Sequence, residues 1–230
     1  MERLLEGVRI LDLTQALSGP YCCMHLADQG ADVIKIEPPG GDMTRIWAPV
    51  VNDYSGYYAY FNRNKKGITL DLKSEEGKEA LRDLIRKSDV IVENFKAGTF
   101  AKLGFTYESI KEINPKIIYA QLTGFGLSGP MSEKPCYDIV AQAESGMMDM
   151  CGYPDGDPVK IGPSVADTFT GTYLALAIMM ALFRRTITGE GYHVDVAMLD
   201  TMFSTLEEGV IYKTLQNIDS TRAGNIHWSS

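Results

Sequence analysis

Apolar residues fall in short runs separated by amphipathic stretches along most of this chain. Residues 8–13 and 31–37 read as buried strands, and residues 20–29 between them read as a helix with Pro20 in its first turn and Gly30 as its stop. The pattern recurs as strand 68–72, helix 74–87, strand 89–95, helix 107–113 and strand 116–122. A helix at 138–150, a loop at 152–162, a helix at 166–186, a strand at 192–197 and a helix at 198–217 follow. Alternation at this spacing predicts an α/β fold, a Rossmann-like and mostly parallel sheet with helices on both faces. Ligands of such sheets sit at the carboxyl ends of the strands, so the loops of interest begin at Thr14, Glu37, Lys73, Asn94 and Thr123. No linker divides the 230 residues, which read as one domain.

Composition narrows the function classes. With 45% hydrophobic and 23% charged residues the chain is an ordinary globular sequence, neither disordered nor fibrous. Its longest apolar stretch, residues 173–183, is shorter than the about 20 residues a bilayer requires, and the first residues lack a signal-peptide pattern, so no membrane partner is expected. A net charge of −8 argues against nucleic acid. Cys22, Cys23, Cys136 and Cys151 have neither disulfide-framework nor zinc spacing and read as free thiols of a cytoplasmic protein; His25, His193 and His227 have no metal-ligand spacing and read as structural. A small polyanion remains a candidate ligand because Arg63, Lys65 and Lys66 are gathered in one segment, with Lys73, Lys96 and Lys102 downstream; a solvated charge run would look the same.

The candidate chemistry centres on Asp167, in the segment Gly162-Pro163-Ser164-Val165-Ala166-Asp167 that feeds an apolar helix. A carboxylate there is either an N-cap worth about 1 kcal/mol or a nucleophile. Tyr137-Asp138 poses the same choice, with Asp138 at a helix start and a phenol beside it. Ser18-Gly19-Pro20 opens the first helix and offers amides to an anion. Gly124 to Gly129 matches GxGxxG after a predicted strand, which raises an NAD-dependent oxidoreductase as a rival. Pro130 follows at once, however, and the next helical pattern waits until about residue 138, so these glycines do not open a helix.

Several ordered stretches resemble class III CoA-transferases, the family that includes carnitine CoA-transferase, formyl-CoA:oxalate CoA-transferase and alpha-methylacyl-CoA racemase. They are residues 5–14 (LEGVRILDLT), 30–40 (GADVIKIEPPG), 62–66 (NRNKK), 70–73 (LDLK), 92–95 (VENF), 123–126 (TGFG), Tyr137-Asp138, 165–167 (VAD) and 188–191 (TGEG). The resemblance implies a CoA-binding α/β large domain, acyl-CoA and a small carboxylic acid as substrates, no tightly bound cofactor or metal, and dimers built like interlocked rings. It assigns Asp167 as the nucleophile that passes through a mixed anhydride and an aspartyl-CoA thioester. It places CoA contacts at Leu17 and Ser18, at Leu70, Asp71, Leu72 and Lys73, at Asn94, Phe95 and Lys96, at Lys102, and at Tyr137.

Two positions depart from the family pattern. Leu17 stands where the oxalate enzymes have glutamine, so that role is either absent or moved to Gln15, and Lys102 stands where arginine is common. In the racemase branch a histidine precedes the helix-opening aspartate; Tyr137 stands here, and a phenol of pKa ~10 exchanges protons poorly at neutral pH. The family's chains continue beyond the equivalent of Ser230 into a second domain, so residues 138–217 are expected to lead toward that domain and the sequence to represent the N-terminal part. A CoA-binding protein without turnover is the third alternative.

Overall fold

Alternate side chains of each central strand feed two separate cores. Ile10, Val90, Val92, Ile118, Ala120 and Leu122 enter one. Leu11, Ile91, Ile117 and Tyr119 enter the other. Both faces of the sheet must therefore be covered by helices, as the near-continuous apolar runs of parallel strands require.

The computed structural model describes residues 3–226, so His227 lies outside the described residues. β1 (Arg9–Asp12), α1 (Ser18–Asp28) and β2 (Asp32–Glu37) form the first βαβ unit. A 3-10 turn at Met43–Ile46 and the ribbon of β3 (Val50–Val51) with β4 (Tyr54–Ser55) lead through α2 (Gly56–Asn62) to β5 (Lys66–Thr69). Then come α3 (Glu75–Arg86), β6 (Val90–Glu93), α4 (Thr99–Lys102), α5 (Tyr107–Ile113) and β7 (Ile118–Thr123). The remainder is α6 (Asp138–Glu144), α7 (Met147–Met150), α8 (Val165–Thr188), β8 (His193–Ala197), α9 (Met198–Ser204) and α10 (Glu208–Gln216).

The six long strands pair in the order β5-β2-β1-β6-β7-β8, every pair parallel. Strand order reverses between β1 and β6, which opens a crevice at their carboxyl ends. Cys22, Cys23 and Leu26 of α1 pack with Leu174, Ile178 and Leu182 of α8 on one face. Leu81 and Ile85 of α3, Phe100 of α4 and Ile110 of α5 cover the other. Full burial of such side chains contributes about 2 kcal/mol each.

The expected α/β architecture is present, with differences in its elements: the strand expected at 68–72 lies at Lys66–Thr69, and α4 was not expected. The helix expected over 138–150 breaks at Ser145-Gly146, where Gly146 takes φ 90°, and the one expected over 198–217 breaks at Glu207, with φ 43°. Residues 42–62, for which the sequence predicted no element, hold the 3-10 turn, the ribbon and α2, all shorter than the windows in which periodicity is visible. Lastly, α8 is 24 residues long with a mean hydropathy of 1.5 in its most apolar window, enough by length and composition to cross a membrane. The unbroken apolar run 173–183 is shorter than the helix, because Thr170 and Gly171 lie buried inside it before that run begins. In the fold α8 packs along α1, β7 and α9.

Candidate active site

The crevice between β1 and β6 is shaped first by the loop from β1 to α1. Its backbone turns through Ala16, at φ 64°, and is clamped by Asn94, which follows β6. The Asn94 side chain accepts from the Gln15 amide and donates to the Gln15 carbonyl, both at 2.8 Å. From below, the buried Lys35 ammonium donates to the Thr14 carbonyl at 2.5 Å and pairs with Asp42 at 3.1 Å. Lys65, equally buried, donates to the Asp12 carboxylate, the Pro20 carbonyl and the Asn62 side chain at 2.8, 3.0 and 2.9 Å. Burial opposes the ionisation of Asp12, yet Lys35 and Lys65 together hold its carboxyl below its ordinary value. The loop bearing Ser18 is thus fixed by a neutral cluster of two lysines and two aspartates.

The second wall is the start of α8, and here the sequence alternatives separate. Asp138, the buried first residue of α6, accepts from the amides of Ala166 and Asp167 at 2.8 and 3.4 Å. Its other oxygen accepts from Gln142 at 2.7 Å, and Gln142 in turn accepts from the Ile161 amide at 2.8 Å. Asp138 therefore caps α8 across space, and Asp167, in the first turn, is left with its carboxylate facing the crevice beside Ser18. Close approach of α8 to α1 makes this contact, and it depends on Gly171: a Cβ there would meet the Ser18 carbonyl at 2.5 Å.

Burial, and after it the Asp138 charge, push the Asp167 carboxyl up to about 6, while a hydrogen bond from Ser18 pulls the other way. Such a group is ionised at neutral pH but poorly solvated, the condition of a usable nucleophile. Cys136 beside it stays a thiol, because burial and then Asp167 raise it to about 11. Replacing Asp138 with Asn removes the like charge, so Asp167 should titrate at lower pH than in the parent. Carbon-13 detection of the Asp167 carboxyl across a pH series checks this, and an unmoved titration would assign the whole shift to burial.

Two cavities meet at this site. One, of about 290 Å³, gathers Gln15, Ser18, Asn94, Phe95, Lys96, Tyr137 and Asp167. The other, of about 160 Å³, gathers Leu70, Asp71, Leu72 and Lys73 after β5 with Pro38, Pro39 and Leu103. Gln15 and Phe95 line both, so the two form one groove from Lys73 to Asp167. Of the residues expected to bind CoA, two lie outside it. Leu17 is 7% exposed and packs into the interior as the residue before α1, because an apolar side chain at the start of a buried helix turns inward. Lys102 is exposed at the end of α4 and lines neither cavity, although its neighbour Leu103 does. Sequence reading missed Met43, Ser132, Lys134 and Met198 in the larger cavity. Only Lys134 carried a signal, as a cation three residues before Tyr137 in the loop after β7.

The gathered cations of residues 63–66 need correction. Lys65 belongs to the buried cluster, Arg63 pairs with Asp28 at 2.5 Å, and Lys66 pairs with Asp32 at 2.5 Å. Those charges are spent on the fold; the exposed lysines Lys73, Lys96 and Lys134 are the ones that line the groove. Gly124 to Gly129 do not open a helix. Instead Gly124 lets the chain at Cys136 approach, since a Cβ there would meet the Cys136 Cβ at 2.1 Å.

The family model for CoA-transferase family III matches residues 5–230. Succinyl-CoA:mesaconate CoA-transferase from Haloarcula hispanica is 45% identical over 97% of this chain and 59% of its own length. Formyl-CoA:oxalate CoA-transferase from Streptomyces coelicolor is 46% identical over 85% of this chain and 48% of its own. A solved structure of a CAIB/BAIF family protein from Brucella suis superposes with a TM-score of 0.95 at 42% identity, over 99% of this chain and 61% of that one. The chain thus spans about three fifths of the length of the first of these relatives.

Proposed function

Because the chain belongs to CoA-transferase family III, we propose that it moves CoA between an acyl-CoA and a small free carboxylic acid, with Asp167 as nucleophile. The observation that carries this reading is a carboxylate raised to about 6 that lines the groove, relieved of capping duty by Asp138. CoA lies along that groove, its nucleotide end against Leu70 to Lys73 and its thioester beside Asp167. Asp167 attacks the thioester carbonyl, the C–S bond breaks, and a mixed anhydride and CoA thiolate form. The thiolate attacks the aspartyl carbonyl, releasing the donor acid and leaving an aspartyl-CoA thioester. The acceptor carboxylate then repeats both steps in reverse, which regenerates the Asp167 carboxylate. Developing oxyanions face the positive end of α1, whose first turn begins at Ser18. The relatives' names carry mesaconate and oxalate, both dicarboxylates, and Lys134 at the larger cavity suits a second carboxylate.

The binding half of this reading is tested by calorimetry with CoA and with phosphate-free pantetheine. Lys73→Ala and Lys96→Ala should each weaken CoA about 2- to 5-fold at low salt, less at high salt, and leave pantetheine unchanged. Equal affinity of the parent for both ligands would remove the phosphate role of these lysines.

A further inference from the structure

Beside the groove, and outside it, lies a polar chain that the proposed reaction does not use. Glu93 ends β6 and is 2% exposed. In the parallel register it stands next to Gln121 of β7, which stands next to Asp195 of β8. One Glu93 oxygen accepts from the Tyr119 hydroxyl at 3.0 Å and from the Gln121 amide. The other accepts from the Phe95 amide at 2.6 Å. Since the Gln121 nitrogen is committed to Glu93, its oxygen must accept from His193, whose Nε2 lies 2.6 Å away. His193 sits on the edge strand, exposed, and stacks against both Tyr107 and Tyr119.

We infer that Glu93, held by Gln121, is the positioning residue for the turn Asn94–Lys96, and so shapes the CoA groove from behind. An ionised Glu93 accepts three hydrogen bonds and so tolerates three donors at once; a neutral acid or amide carries a donor of its own and sets it against one of them. The bond most exposed to that conflict is the one to Phe95, because it lies in a turn and not in the sheet. Loss of it loosens Asn94, which clamps Gln15, and Phe95, which lines both parts of the groove. Burial pushes the Glu93 carboxyl above the ordinary carboxylate value and Asp195 adds to this, against the hydrogen bonds from Gln121, Phe95 and Tyr119. The groups facing the chain are Tyr119 on β7, Asp195 and His193 on β8 and, beyond His193, Tyr107 and Glu108 on α5. CoA binding therefore weakens as Glu93 takes up a proton on the acid side.

This inference rests on the CoA reading of the groove, so its test has one readout that does not. In Glu93→Gln, hydrogen–deuterium exchange should rise at residues 94–97 while β1 and β7 stay protected, and CoA affinity should fall roughly tenfold. The difference in affinity between parent and variant should shrink as pH is lowered, because the parent then carries a neutral acid too. Gln121→Leu, which leaves Glu93 in place but removes one donor, should reproduce part of both effects. Unchanged exchange at 94–97 in a folded Glu93→Gln protein overturns the positioning role. Raised exchange in a protein whose parent binds no CoA would instead retain the role and reject the CoA reading.

Discussion

Replacing Asp167 with Ala is expected to reduce CoA exchange by a factor on the order of 10⁴ or more, as loss of a covalent nucleophile does. Affinity for CoA should hold within a few-fold, since the nucleotide half of the groove at Leu70 to Lys73 is untouched. The same variant should be more stable than the parent at neutral pH. Asp167 is raised from the ordinary 3.8 to about 6, so the native state binds the proton more tightly than the unfolded chain does. Native stability is then lost as pH rises from about 4 through 6, by up to about 3 kcal/mol. Urea unfolding of parent and variant at pH 7.5 and pH 4 measures this: the variant leads at pH 7.5 and the gap closes at pH 4. An exchange assay on the same preparations separates the catalytic effect from folding. Near-normal turnover would remove Asp167 from the chemistry, and a variant less stable at pH 7.5 would mean that the carboxylate serves the fold.

Lys65→Met is expected to have the largest effect on stability, about 3–5 kcal/mol, because it breaks a buried ion cluster by removing one partner. Without Lys65, Asp12 stays buried with Lys35 as its remaining cation, and the Pro20 carbonyl and Asn62 side chain lose a donor. Asp12 is depressed in the native state, so its contribution is present above the unfolded value near 4 and is lost as pH falls through the native one. Denaturant melts of Lys65→Met against Lys66→Met make the comparison internal. Lys66 is an exposed partner of Asp32 and should cost no more than about 1 kcal/mol. Equal losses in the two variants would show that Lys65 is not a keystone of the loop bearing Ser18.

The alternation of strands and helices was legible from residue order because parallel strands buried on both faces leave short apolar runs, as in residues 90–92 and 117–120. Where the sheet ends, legibility depended on distance along the chain. The strand-end rule pointed to the loops after Thr14, Lys73 and Asn94, and the resemblance supplied the particular groove residues Gln15, Ser18, Leu70 to Lys73 and Asn94 to Lys96 within or beside them. The cap on α8 did not, since Asp138 reaches Ala166 from 28 positions away. For the same reason three cations in four residues looked like an anion site: only the fold reveals that Asp12, Asp28 and Asp32, all 30 or more positions earlier, take each of them. Leu17, expected at the groove because it stands where a family glutamine does, is buried and lines neither cavity.

The most direct measurement is the intact mass of the protein after incubation with a panel of acyl-CoAs, followed by hydroxylamine and peptide mapping. A CoA-sized adduct that hydroxylamine removes, mapped to the peptide containing Asp167, is the predicted result. CoA that binds without any adduct across the panel, or an adduct on another residue, would contradict Asp167 as the nucleophile.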